Sequence, residues 1–235
     1  MASSSTSAPT RRSRGDAARD RLLDVAERLF AENGIDAVSL NSIARFANQL
    51  NGSVMQYHFG SKLGLIQAIL ERRMEVLNDR RNELIDHVDT SDRARALKQI
   101  AEAMVLPFAE HLSVEGGSAY LRFVAQVTFN SNKSVFEMVR GGHNSAVRRI
   151  AELVREILSD MAPEIVRHRL AVVTNLVLFS IGEREKLRMA GKRTGVARLN
   201  TEEFIDDLIR MIVSALDAPL PASDRAVPTG CERGR

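Results

Sequence analysis

An all-α fold is predicted by three observations. Apolar residues recur at three- and four-residue spacing through most of the chain. No stretch alternates apolar and polar residues as a half-buried strand would, and Gly, Pro or a capping residue stands at most of the breaks. A period of 3.6 stacks every third or fourth side chain on one face, so each segment carries a stripe to bury against its neighbours. With 235 residues, 44% of them hydrophobic and 27% charged, the chain is long enough for one large domain or two small ones.

The first helix is expected from about Asp16 to Asn33, where Leu22, Val25, Ala26 and Leu29 form the stripe and Leu23 and Phe30 widen it. Gly34 ends it, because glycine tolerates the left-handed conformation that closes a helix. Ser39 stands as an N-cap ahead of Leu40, Ile43, Ala44 and Ala47, which repeat the helical spacing for two short turns. After a break at Asn48-Gln49-Leu50, Asn51 caps a third helix from Gly52 to about His58, and Phe59-Gly60-Ser61 closes the unit. Ala44 and Ala47 let the second and third helices approach closely, Leu50 plugs the corner, and Met55 points inward. Two short helices with small residues at their crossing and a tight polar link form a helix-turn-helix. By spacing alone, a DNA-reading element and a plain helical hairpin both stand.

Composition narrows the function classes. The net charge of +3 suits a nucleic-acid partner without requiring one. The lone cysteine, Cys231, cannot form an internal disulfide or a cysteine zinc cage. The five histidines are scattered without a metal-binding pair, and there is no glycine-rich phosphate loop or nucleophile elbow. No enzyme, no catalytic or metal-ligating residue and no cofactor is expected. Glu202-Glu203 and Asp206-Asp207 suit a helix start and its wet face better than acid–base chemistry. Met1 to Pro9 has no apolar run and does not read as a secretory signal. The apolar stretch Leu170 to Ile181 is about half a bilayer span, so a cytoplasmic protein without a membrane partner is expected.

Leu29-Phe30-Ala31-Glu32-Asn33-Gly34, Ser39 with Ile43-Ala44, and Tyr57-His58-Phe59-Gly60-Ser61-Lys62 together resemble the TetR family of transcriptional regulators. The resemblance covers roughly Ala17 to Leu70, with three separated motifs in the family's order. Between Ala47 and Phe59 the chain is one residue longer than usual in the family, and Gln56 stands where a Tyr is common. The resemblance implies a DNA-binding regulator, a repressor more than an activator, that binds a palindromic double-stranded operator as a homodimer and is released by a small-molecule effector. By the same resemblance Ser39, Asn41 and Arg45 meet backbone phosphates from the second helix. Gly52 and Ser53 open the recognition helix, Gln56 pairs with adenine and Val54 meets a thymine methyl. Tyr57, His58 and Lys62 clamp phosphates. The alternative is a helical protein–protein adaptor that does not read DNA.

Four regions follow. Residues 1–15 are expected as a flexible basic arm with Arg11, Arg12 and Arg14, residues 16–62 as the helix-turn-helix domain, residues 63–217 as a helical ligand-binding and dimerisation domain, and residues 218–235 as a disordered tail broken by Pro219, Pro221 and Pro228. A connecting helix is expected from Lys62 to about Val88. Its heptad leucines (Leu63, Leu70, Leu77, Leu84) lack a second apolar seam, which excludes a zipper. Asp92 to Leu112 (bent at Pro107), Gly117 to Asn130 and Lys133 to Met161 (kinked at Gly141-Gly142) follow. A helix from Pro163 to about Met189 is apolar nearly all round from Leu170 to Ile181, and such a helix is buried, here against a second subunit. Asn200 or Thr201 caps the last helix, with Ile205, Leu208, Ile209, Ile212 and Leu216 as its stripe. The family pairs its last two helices across the dimer. An effector cavity is assigned to Met104, Phe108, Tyr120, Phe123, Phe136 and Phe179, although Met and Phe at helical spacing are more often core. The effector itself stays unidentified.

Overall fold

The chain was described from a computed structural model, which covers residues 11–49, 53–113, 117–128, 145–191 and 198–220. Among these residues it is helical without strands. The helices are α1 (Arg11–Asn33), α2 (Leu40–Phe46), α3 (Ser53–Phe59), α4 (Lys62–Ile85), α5 (Arg93–Ala109), α6 (Gly117–Thr128), α7 (Ser145–Ile157), α8 (Pro163–Met189) and α9 (Thr201–Leu216). A 3₁₀ turn, Glu110–Ser113, continues α5. The packing divides the chain into two compact units, Met1–Arg73 with Arg122–Gly142, and Met74–Leu121 with His143–Arg235.

In the first unit, α1 buries Leu22, Leu23, Ala26, Leu29 and Phe30 of the expected stripe, while Val25 is half-buried. The helix starts at Arg11, not Asp16, so the last residues assigned to the basic arm are helical. Arg and Ala are strong helix formers, and one Gly15 costs only about 1 kcal/mol, too little to end a helix. At the other end the Gly34 N–H donates to the Phe30 carbonyl at 3.0 Å with φ of +89°, the left-handed stop that was expected. Phe123 of α6 stacks on Phe30 with centroids 5.9 Å apart, and Gln126 Nε2 donates to the Ala31 carbonyl. Phe123, assigned to the effector cavity, is therefore core in the first unit: its ring is fully buried against α1. Leu50, Asn51, Gly52 and Phe136 lie outside the described residues, as do Gly141-Gly142 and Cys231.

One polar contact in this core was not expected. Glu27 on α1 is buried, and Arg73 on α4 grips it with two hydrogen bonds, Nε at 2.9 Å and Nη2 at 2.8 Å. Arg72 adds an ion pair to Asp24 at 2.8 Å. The geometry is the bidentate fork that makes arginine–carboxylate pairs strong.

In the second unit, α5 buries a nearly continuous face from Ala96 to Ala109 against α9, α7 and α8. Asp92 caps it by accepting from the Arg95 N–H. The helix runs two residues past Pro107 before tightening into the 3₁₀ turn. The start of α9 is settled in favour of Asn200: its side chain accepts from the Glu203 N–H and Glu203 Oε2 accepts from the Asn200 N–H, a reciprocal capping box. Arg169 on α8 closes the other end by donating to the carbonyls of Leu216 and Ala218. Arg93 joins Asp160 and Asp217, at 2.8 and 2.7 Å, tying α5 to the turn before α8 and to the end of α9.

Within the single chain helix α8 is buried on one side only; burial of the other side was expected against a second subunit. Val166, Val173, Val177 and Ile181 are buried, while Val172 and Phe179 on the opposite side are 46% and 55% exposed. Phe179 was assigned to the effector cavity. It stands instead on the outer face, because the inner stripe of α8 is already occupied by the valines. The same helix, Pro163–Arg188, is long and apolar enough to cross a bilayer by length and composition, which Leu170 to Ile181 alone is not.

Candidate nucleic-acid interface

The site is built on α2 and α3. Ser39 leads α2 in extended conformation: its Oγ accepts from the Ser42 N–H, and Ser42 Oγ accepts from the Ser39 N–H, so the cap is a serine–serine box. Ile43 and Ala44 are buried, while Asn41 and Arg45 are exposed, with the Arg45 guanidinium 5.7 Å from the Phe46 ring.

The turn out of α2 is a Schellman motif. The Asn48 N–H donates to the Arg45 carbonyl and the Gln49 N–H to the Ala44 carbonyl, and Asn48 takes φ of +56°. Asparagine is the residue that most readily replaces glycine there, which is why the break is made without one.

Helix α3 has two faces set by a spacing of four. Met55 and Phe59 are buried, and the Arg19 guanidinium covers the Phe59 ring at 5.6 Å. Ser53, Gln56 and Tyr57 are exposed on the other side, Tyr57 at 84%, with Val54 and His58 half-buried at the margins. The inward Met55 agrees with the sequence reading. The Tyr57 and His58 rings meet edge-on at 5.0 Å. Helix α3 ends at Gly60, with φ of +68° and its N–H on the Gln56 carbonyl.

Ser61 then caps α4 by accepting from the Gly64 N–H. A Cβ on Gly64 would lie 2.2 Å from the Phe59 carbonyl oxygen, so the first turn of α4 seats against the end of α3 only as glycine. Lys62 is half-buried: its ammonium lies 5.9 Å from the Phe30 ring centroid and 3.4 Å from the Asp36 carbonyl oxygen. The structure thus brings Ser39, Asn41, Arg45, Ser53, Val54, Gln56, Tyr57, His58 and Lys62 into one compact unit, with Gly52 outside the described residues.

Two features escaped the sequence reading. Gly64 was passed over because nothing in its spacing marks a close approach. The second was visible: no Asp or Glu occurs between Asp36 and Glu71. The helix-turn-helix therefore carries its cations, Arg45 and Lys62, without a local carboxylate to repel a polyanion. Among the described residues no group of three or more His, Cys, Asp or Glu is placed to hold a metal ion.

Comparison with known proteins bears on both units. Residues 22–69 match the model of bacterial regulatory proteins of the tetR family, and residues 102–215 match that of the tetracyclin repressor-like C-terminal domain. The HTH-type transcriptional repressor KstR2 of Rhodococcus jostii (strain RHA1) is 37% identical over 67 residues, a stretch covering 28% of this chain and 32% of that repressor. The fold is shared with a tetR family transcription regulator from Shewanella sp. PV-4 (TM-score 0.59, 15% identity, 84% of this chain and 97% of that one). It is also shared with NalD, the secondary repressor of the MexAB-OprM multidrug efflux pump in Pseudomonas aeruginosa (TM-score 0.56, 15% identity, 86% and 96%). With both family models matched in order and the helix-turn-helix geometry in place, the chain belongs to the TetR family of transcriptional regulators.

Proposed function

We propose that this regulator is an effector-responsive repressor that binds a palindromic operator as a homodimer. The observation that carries the reading is the exposed face of α3, where Ser53, Gln56 and Tyr57 project opposite the buried Met55 and Phe59 within the acid-free stretch. A short helix anchored on one face and polar on the other suits insertion into the major groove. Gln56 can bond an adenine edge in bidentate fashion, with Val54 beside a thymine methyl. Asn41, Arg45, Tyr57, His58 and Lys62 fix register on phosphates. Ser39 contributes through its backbone, since its hydroxyl is engaged in the cap, and Gly52 opens the recognition helix.

Residues 16–62 form the DNA-reading region in this proposal, with residues 1–15 as an arm and 218–235 as a tail. Residues 63–217 bind effector and partner, with Met104, Phe108 and Tyr120 as effector contacts. The partner subunit covers the exposed side of α8 together with α9, in the cytoplasm and without a membrane. Two recognition helices about 34 Å apart meet successive major grooves, and an effector that prefers another spacing releases the operator to the extent of its differential affinity.

Selection of fragmented genomic DNA by the purified protein at two salt concentrations tests the reading. The expected result is a palindromic motif whose recovery falls steeply as salt rises. Gln56→Ala should weaken the selected operator by about 1–3 kcal/mol and relax preference at one base pair per half-site. Recovery of no motif by folded protein would favour the helical adaptor instead.

A further inference from the structure

The second unit contains a buried positive charge that none of the described residues neutralises. On α4, Met74, Leu77, Asn78, Arg81 and Ile85 share one face. Leu77, Asn78, Arg81 and Ile85 are buried, Arg81 to 4% exposure. Its neighbour Arg80 points outward and pairs with Glu83 and Glu110 at 2.9 Å. Arg81 has no such partner: among the described residues no carboxylate lies within ion-pair distance, and its Nη1 makes no hydrogen bond.

The contrast with the other buried charges is informative. Glu27 is gripped by Arg73, Glu185 by Arg188, and Arg184 donates to the Leu199 carbonyl. A buried charge left alone costs several kcal/mol, which is why such groups are paired. Arg81 is partly compensated by the Phe108 ring, whose centroid lies 4.8 Å from the guanidinium carbon. A ring face is only a weak acceptor, so Nη1 still lacks an oxygen or nitrogen partner. Burial pushes the guanidinium down to about 10, so it remains a cation at neutral pH.

The surroundings of Arg81 limit the kind of anion it could hold. Met104 and Phe108 stand one turn apart on α5, both buried, and Tyr120 is fully buried with its hydroxyl 3.9 Å from Met74 Sδ. Thioether side chains repack readily around an apolar chain. A planar guanidinium matches a carboxylate in fork geometry, and walls of Met and Phe match a hydrocarbon body.

We propose that Arg81 anchors the carboxylate of an amphiphilic organic acid, whose apolar body lies against Met74, Met104 and Phe108. Resting on the effector-responsive reading above, this assigns the effector a chemical class and Arg81 the anchoring role.

The test is thermal unfolding and calorimetric titration of the intact protein without DNA, with decanoate as probe and decanol as its uncharged match. Decanoate is expected to raise Tm and decanol to do so much less. Arg81→Met should weaken decanoate binding by roughly tenfold to a hundredfold, the range of a lost charge-assisted hydrogen bond, and should itself be at least as stable as the parent without ligand. Arg81→Lys keeps the charge without the fork, so partial binding is expected, and it serves if Arg81→Met does not fold. Equal binding of acid and alcohol, or equal decanoate binding by parent and variants, would overturn the proposal. Because no operator is present, that failure is distinct from failure of the DNA selection.

Discussion

At the scale of single residues, the joint between α3 and α4 depends on one missing methyl group. Gly64 lies where a Cβ would sit 2.2 Å from the Phe59 carbonyl oxygen, and a backbone oxygen cannot rotate away as a side chain can. Alanine is normally the better helix former by about 1 kcal/mol, but this overlap opposes that gain and forces a backbone shift costing roughly 1–3 kcal/mol. Gly64→Ala should lower Tm by several degrees. It should also weaken operator binding more than its stability loss explains, because the displaced segment carries Gln56 and Tyr57. Gel-shift titration at a temperature where both proteins are folded separates the two effects. Unchanged affinity would mean that α4, not α3, absorbs the shift.

At the scale of elements, α1 is held to α4 by an ion pair as well as by packing. The Glu27 carboxylate is buried, and both of its oxygens accept from Arg73. Neutralising it leaves Arg73 and Arg72 facing a neutral amide in a half-buried site. Glu27→Gln should therefore destabilise the protein by about 3 kcal/mol, near the lower limit for a broken buried pair because both arginines retain some access to water. Urea unfolding reads this as a reduced midpoint at unchanged slope. A loss below about 1 kcal/mol would place the pair among surface bridges of small consequence. Nothing in the sequence singles out Glu27, since its partner lies 46 positions away.

At the scale of the whole molecule, the exposed apolar surface on the last two helices needs a cover. Val172 and Phe179 on α8, separated by seven positions, fall on one side of the helix, and Met211 on α9 is also half-exposed. Phe179→Asp would place a charge in the proposed subunit contact, where an aromatic anchor is worth about 2 kcal/mol or more. The variant should sediment as monomer at concentrations where the parent is dimeric, and should lose operator binding while keeping its helical content. A dimeric variant that still binds its operator would move the interface elsewhere.

What the sequence determined by itself was local: the helix-turn-helix, the cap at Ser39, a last cap narrowed to Asn200 or Thr201, the stop at Gly34, and the inward turn of Met55. These depend on side chains three to five positions apart, and that information is contiguous in the chain. Tertiary structure decided whatever depends on residues distant in sequence. It put Phe123 beside Phe30 instead of in an effector cavity, turned Phe179 outward, joined Glu27 to Arg73, brought Gly64 against Phe59, and buried Arg81 beneath Phe108 without a counter-charge among the described residues. Periodicity specifies which face of a helix is apolar. Which partner that face meets depends on packing across the chain, and so does the fate of a charge buried with it.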